Sequence, residues 1–489
     1  MKSIVRKNNQ LLLILLLSIA TVVFAYIIAI GQLPAVGILI VLPLALGLLV
    51  LVFVKPETAL FVIMIYSFII NGIGRYVTGP FSVLIDLMLL LALISMLFYV
   101  KKADYEKLKN GLVFLICIWT FYTILQIFNP EALGIKAWFF AVRSLSFYLL
   151  LLVCLTILLF KQKKDLDTFL TIWFVGGIVS ALYGIKQIAI GLSAADQAWL
   201  DAGAAQEHIL FGKLRVFSFY SDAGQFGAFM AFTSLVAFIC SIKGANLYRR
   251  AFSFFTGLLC AYGMLISGTR GALFVFLGAM VYLLLDKNFK TFTMGLVVLG
   301  SLFCVLKFTY IGAGNYNIQR LRSAVSPTDD PSFLIRLANQ RKIADYLSTR
   351  PFGGGVGTSG YWGQRFKPGS FLAETPTDSW YVRIWAETGR VGLVLYALVI
   401  FGILVYEFFI VLNLKDKILK QKLNAIYAGC FGIMVASYGN QLIGQFPTSV
   451  YFSMGLAIIY LGKMWDTEQV LQEKDGAVLS NGQMIMDNG

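Results

Sequence analysis

Arg350-Pro-Phe-Gly-Gly-Gly-Val-Gly-Thr-Ser-Gly360 and Thr375-Pro-Thr-Asp-Ser-Trp-Tyr-Val-Arg-Ile-Trp-Ala-Glu-Thr-Gly389 both stand inside Tyr310 to Val391, the one long polar interval of an otherwise apolar chain. That contrast decides the fold. The 489 residues are 58% hydrophobic and only 13% charged, with a mean hydropathy of +0.79, whereas a water-soluble globule carries about a quarter charged residues. The chain therefore reads as an all-α polytopic integral membrane protein, with the polar interval as a folded loop outside the bilayer.

A hydrocarbon core of about 30 Å takes roughly 20 apolar residues per helix. On that ruler the sequence predicts about 14 spans (12 to 14), near 11–30, 36–54, 58–72, 81–99, 111–128, 137–160, 168–190, 224–241, 251–266, 271–285, 291–310, 391–413, 423–438 and 446–463. Four regions follow: an N-terminal transmembrane bundle (1–310), the loop domain (311–390), C-terminal transmembrane helices (391–463) and a polar tail (464–489) expected to be disordered. The first apolar run follows Lys2, Arg6 and Lys7 like a signal peptide, but its length and the absence of a small-residue cleavage site predict a retained helix.

Alternate short loops carry Lys101/Lys102/Lys107/Lys109, Lys161/Lys163/Lys164, Lys243/Arg249/Arg250, Lys287/Lys290 and Lys415/Lys417/Lys420/Lys422, while the others are nearly uncharged. The positive-inside rule then puts both termini in the cytoplasm and segments 191–223 and 311–390 on the extracytoplasmic face. This accounts for most of the net charge of +15, so no nucleic-acid partner is implied. The six cysteines lie in apolar runs and read as small buried hydrophobes. A single histidine, His208, leaves no multi-histidine metal centre, and its loop setting predicts a solvated side chain. Neither metal nor cofactor is expected.

Arginines on the outer side are not explained by topology, and a cation at the edge of hydrocarbon is costly. Arg270 follows Ser267-Gly-Thr at a tight turn, Arg215 precedes a span, and Arg336, Arg341 and Lys342 sit on a helix predicted to start at Asp330-Pro331. That helix places Phe333, Leu337, Ala344 and Leu347 on one side, with Asn339, Lys342 and Asp345 opposite, and could lie on the membrane or on the bundle. Guanidinium groups converging at headgroup depth would form a phosphate or diphosphate site; the plainer reading is snorkelling to lipid phosphates.

The run Gly353–Gly360 lacks a Walker ending; it reads either as a phosphate nest or as a hinge or tight turn. Thr377-Asp-Ser379 reads as a helix N-cap, with Asp378 and Glu374 as the carboxylates available for acid–base work. Tyr361, Trp362, Trp380 and Tyr381 supply aromatic faces suited to sugars, and Glu387 is expected to pair with Arg383 at i,i+4.

In order and spacing, the Arg-Val-Phe-Ser-Phe run at 215–219, Ser-Gly-Thr-Arg-Gly at 267–271, Pro-Phe-Gly-Gly-Gly-Val-Gly at 351–357 and the passage 378–393 resemble the O-antigen ligase and Wzy-type O-antigen polymerase superfamily. The resemblance implies an enzyme of the bacterial inner membrane, working without metal or nucleotide sugar. It would move a glycan from a polyprenyl diphosphate carrier to an acceptor hydroxyl on the extracytoplasmic side. Arg215 and Arg270 match the family's diphosphate-binding positions. Ligases carry a histidine where this chain has Thr377-Asp-Ser379, which favours polymerisation of surface polysaccharide repeat units over ligation to a lipid A-core acceptor. The expected site is then Arg215, Arg270, Arg341 and Arg336 on the diphosphate, Asp378 or Glu374 as base, and the four aromatics along a sugar path. The lipid bilayer, a flippase and a chain-length regulator are the expected partners. A transporter of a small anion or of the lipid-linked glycan is the reading from another class, with Asp86 as its main intramembrane acid; a scaffold for glycan export would leave the outer arginines unexplained.

Overall fold

A computed structural model describes residues 46–486 apart from 78, 211, 244–245, 287–288, 312–313, 315 and 325–330. The expected span at 11–30, the first part of 36–54 and the expected cap Asp330 lie outside the described residues. The rest is helical apart from loops and one two-residue hairpin. The long helices are α1 (Glu57–Tyr76), α2 (Ser82–Tyr99), α3 (Gly111–Leu125), α4 (Ile135–Leu159), α5 (Lys163–Ala189), α6 (Ala223–Ile242) and α7 (Leu247–Ile266). A 3₁₀ helix, Arg270–Leu277, then runs into α8 (Gly278–Asp286), followed by α9 (Phe289–Phe308), α10 (Tyr316–Ala324) and α11 (Pro331–Tyr346). The chain closes with α12 (Trp380–Asn413), α13 (Lys417–Ala436) and α14 (Thr448–Met486). Seven of these, α1, α2, α3 with its extension to Phe128, α4, α5, α6 and α12, are long and apolar enough to cross a membrane. The chain is thus a multi-pass all-α membrane protein.

Helix α6 is the axis of the bundle: 83% of its apolar window is buried, against 33% for α2. It packs on α7, α13 and the 3₁₀ segment. Without a hydrophobic drive between helices in lipid, close approach depends on small residues. A methyl at Gly278 would collide with the Ala428 carbonyl, and one at Gly432 with that of Val275, so α8 and the 3₁₀ segment meet α13 backbone to backbone. Buried polar bonds fix the register, with Trp173 donating to the Thr233 hydroxyl (2.9 Å) and Gln421 to the Ile239 carbonyl (2.6 Å).

The lysine-rich loops gather at one end. Lys163 pairs with Asp416 (2.7 Å), Arg249 and Lys422 with Asp167, Lys243 with Asp286 (2.7 Å), and Tyr460 donates to the Lys107 carbonyl (3.1 Å). Helix α14 runs on to Met486, although residues 464–489 read as a disordered tail. Its first turns beyond the bundle are tied down: Asp466 accepts the Lys415 and Asp416 amides, and Trp465 donates to the Lys161 carbonyl (3.3 Å). The acid singled out for a transport reading, Asp86, is engaged by Arg143 and by the Tyr148 hydroxyl (2.7 Å).

Candidate functional site

The opposite end of the bundle carries the polar interval. Between α5 and α6 the chain folds into a short helix, Ala194–Trp199, and a hairpin of β1 (Ile209–Leu210) and β2 (Lys213–Leu214). The hairpin brings Arg215 back on its own start: its amide donates to the His208 carbonyl (2.8 Å) and its Nη1 to the Glu207 carbonyl (3.0 Å). Nη2 of Arg215 reaches the Thr269 hydroxyl (3.4 Å), which itself donates to the Ala223 carbonyl at the start of α6 (2.7 Å). Arg215, the Ser-Gly-Thr-Arg turn and the head of α6 are therefore one assembly.

That turn needs its glycine. Gly268 has φ +58°, and a carbon added there would lie 3.4 Å from Arg320 Cδ and 3.9 Å from Arg215 Cγ, so two guanidinium stems pass over it from separate elements. Asp222 caps α6 by accepting the Gln225 amide (2.8 Å), which leaves the positive end of the helix dipole facing the same space. Helix α11 closes the other side with Phe333, Arg336 and Gln340, and Arg336 Nε sits 3.2 Å from Asp378 Oδ2. The cavity between them is about 730 Å³, and Arg215, Arg270, Arg320, Arg336, Asp222 and Asp378 all line it.

Helix α11 rests on the bundle. Ile343 and Leu347 are buried against Leu372, Val382 and Ala386, while Leu334, Ile335, Arg341 and Lys342 face outward. Arg341, expected on the diphosphate, therefore lies off the cavity wall. Glu374 is also outside the lining and accepts the Gly369 amide (3.1 Å). The four aromatics are placed elsewhere as well. Trp380 is fully buried with its indole on the Tyr396 hydroxyl (2.8 Å), and Tyr381 donates to the Met434 carbonyl (2.7 Å). Trp362 stacks on Phe140 (5.0 Å), and Tyr361 is exposed beside Arg365. Ser379 stands at the N-cap of α12, but its hydroxyl bonds the Ser437 carbonyl (3.4 Å) and makes no cap bond.

Two residues were hidden from sequence reasoning. Arg320 is one of two arginines in Gln-Arg-Leu-Arg at 319–322; only the fold turns Arg320 into the cavity and Arg322 onto the Thr309 and Ile311 carbonyls. The other is His208, expected to be solvated. It is 3% exposed, with Nδ1 2.9 Å from the Ala204 carbonyl and Nε2 accepting the Ala223 amide (3.2 Å), and burial lowers its pKa from the ordinary 6.5.

The glycine run is no phosphate nest. Residues 353–359 are buried, and the Gly354 and Gly355 amides donate to the Ala386 and Glu387 carbonyls (2.9 Å each). Glu387 takes the Arg383 guanidinium at i,i+4 (3.4 Å), as its spacing predicts, and also the Ser359 hydroxyl (2.7 Å).

The arginine-bearing loop is anchored by a second pair. Arg75 at the end of α1 bonds Asp196 (3.1 Å) and the Ser218 and Tyr220 carbonyls, with its guanidinium 4.4 Å from the ring centres of both Trp199 and Phe217. Asp196 also accepts from Tyr183 (2.9 Å) and Gln187 (3.2 Å), and the side chains of the pair are 4% and 1% exposed. Removing one partner of such a pair strands a buried charge, so Asp196→Ala is expected to cost about 3–5 kcal/mol. Unfolding in detergent measures it; a loss below about 1 kcal/mol would mean that the pair is not an anchor.

Residues 255–397 match a family model, Wzy_C, described as O-antigen ligase. The match takes in Arg270, Arg320, Arg336 and Asp378 and leaves Arg215 outside. No curated protein matches the chain.

Proposed function

We propose that the chain, whose residues 255–397 match the O-antigen ligase family model, polymerises surface-polysaccharide repeat units, moving a glycan from a polyprenyl diphosphate to an acceptor sugar hydroxyl on the extracytoplasmic face. The observation that carries this reading is the shared wall of one cavity: four arginines from four separate parts of the chain, with the carboxylates of Glu207, Asp222 and Asp378 among them. In the proposed step the acceptor hydroxyl gives its proton to Asp378 and its oxygen bonds to the anomeric carbon. The carbon–oxygen bond to phosphate breaks, and the electron pair leaves on the diphosphate. Arg215, Arg270 and Arg320 stabilise that developing charge, for which fixed guanidinium forks in a water-poor site are suited. Arg336 pairs with Asp378; a phosphate bound to this wall would compete for the guanidinium and free the carboxylate.

Polymerisation is favoured over ligation because Thr377-Asp-Ser379 stands where ligases have histidine. The test is transfer by the purified protein in detergent with EDTA present, given lipid-linked repeat units alone. Glycan ladders on the lipid are the expected product. Vesicle uptake without any transfer in detergent would replace the enzyme by a transporter, because chemistry survives loss of the membrane barrier.

A further inference from the structure

The chain's only histidine is buried at the edge of the cavity with both ring nitrogens engaged, and its partners dictate its protonation. The Ala204 carbonyl can only accept, so Nδ1 carries the hydrogen; the Ala223 amide can only donate, so Nε2 must present its lone pair. The contacts therefore require the neutral ring. Through them His208 ties together three parts of the cavity wall. Its side chain holds the first residue of α6, its carbonyl holds the Arg215 amide (2.8 Å), and Nδ1 closes the helical turn preceding the hairpin.

A second proton on the ring would remove the acceptor for Ala223 and add a cation to a crowded place. The rings of Trp199 (4.9 Å) and Phe217 (5.2 Å) meet the imidazole, and those same two rings enclose Arg75. Arg215 acts on it from the end of the hairpin and Asp222 from the head of α6, while Glu207, its neighbour in the chain, lines the cavity beside it. Asp222 and the Ala204 carbonyl favour the charged ring, but burial opposes it first, and Arg215 and Arg75 add to that opposition.

We infer that neutral His208 is the positioning residue for the diphosphate-binding wall, so that acidification loosens the Arg215 hairpin and switches donor binding off. The inference rests on the proposed diphosphate site. The sign follows from linkage. A ring that binds its proton more weakly folded than unfolded contributes stability in full above the ordinary 6.5, and that stability is lost as pH falls from there through the folded value.

Two measurements test it. Amide exchange of peptides covering 212–225, corrected for intrinsic pH dependence, is expected to accelerate in the wild type between about pH 7.5 and 5, following the titration of the single imidazole signal. In His208→Gln, whose amide can accept from Ala223 and donate to Ala204 without titrating, the acceleration should be absent. Binding of inorganic pyrophosphate is expected to fall at least about tenfold more in the wild type than in His208→Gln over the same interval. Comparing the variants cancels the protonation of pyrophosphate itself. Parallel exchange and parallel binding in the two proteins would overturn the inference. Should the glutamine variant fail to fold, wild-type exchange that ignores the imidazole titration would overturn it equally. If pyrophosphate binds neither protein at any pH, the diphosphate reading falls, and the exchange data still decide whether His208 holds the hairpin.

Discussion

Arg270→Ala and Arg215→Ala are each expected to reduce polymer formation by about 10²–10³-fold, leaving single lipid-linked repeat units unextended. Both line the same cavity, and under the proposed step each would remove a fork of donors aimed at the place where charge develops on the leaving diphosphate. Lysine at either position keeps the charge but loses the planar fork, so recovery should be partial. Arg341→Ala is the control: it takes a guanidinium from the outward face of α11, away from the cavity, and should change the rate less than about twofold. The measurement is the rate and length distribution of product in detergent, beside a melting curve for each variant. Wild-type lengths from both cavity variants, or an equal loss from Arg341→Ala, would dismantle the assignment of the arginines.

The parts of this site legible in the sequence were those in conflict with topology. Arg215 and Arg270 stand where the topology expected from the positive-inside rule wants no cation, and both line the cavity. The Arg383–Glu387 pair followed from helical spacing alone. Arg320 and Arg322 stand two apart in one polar run, and nothing local separates the residue facing the cavity from the one tying its own backbone. His208 misled for the opposite reason. A lone loop histidine looks solvated until the hairpin and the head of α6 close over it, and that closure joins residues with no shared periodicity. Trp362, Trp380 and Tyr381 show the limit of composition: aromatic rings beside polar groups mark sugar sites and helix-packing seams alike, and their ring and hydrogen-bond partners here are residues of the bundle. Among the described residues seven helices meet length and apolarity together, while α7, α8, α9, α13 and α14, at the places of other expected spans, are helical without being among those seven.

Gly389→Ala is expected to be among the most destabilising single changes in the chain. Helix α12 breaks there, with φ +71° and ψ −171°, a region open essentially to glycine only. The break frees the carbonyls of Ala386, Glu387 and Thr388 from their usual partners four residues on, and the glycine run exists in this fold to recapture them. Gly354 and Gly355 donate to the first two (2.9 Å each), the Tyr122 hydroxyl donates to the third (2.9 Å), and the Val391 amide turns back to the Pro351 carbonyl (3.3 Å). A methyl at 389 would collide with the Pro351 carbonyl and the Gly353 amide, and one at Gly353 (φ +78°) would collide with the Gly389 amide. Backbone strain of about 1–3 kcal/mol and overpacking of about 1–3 kcal/mol then act together. Gly360 separates the two terms: its φ is +56° but nothing lies within 4 Å of an added carbon, so Gly360→Ala should lose only about 1–2 kcal/mol. Unfolding of both variants in detergent, with amide exchange across 351–359, reads the difference. Equal losses would mean that conformational strain alone sets the cost and that the run is not fitted to the broken helix. A larger loss at 389, with exchange rising across the glycine run, would instead tie the most recognisable motif of the sequence to holding α12 in register, and with it Asp378 at the cavity wall.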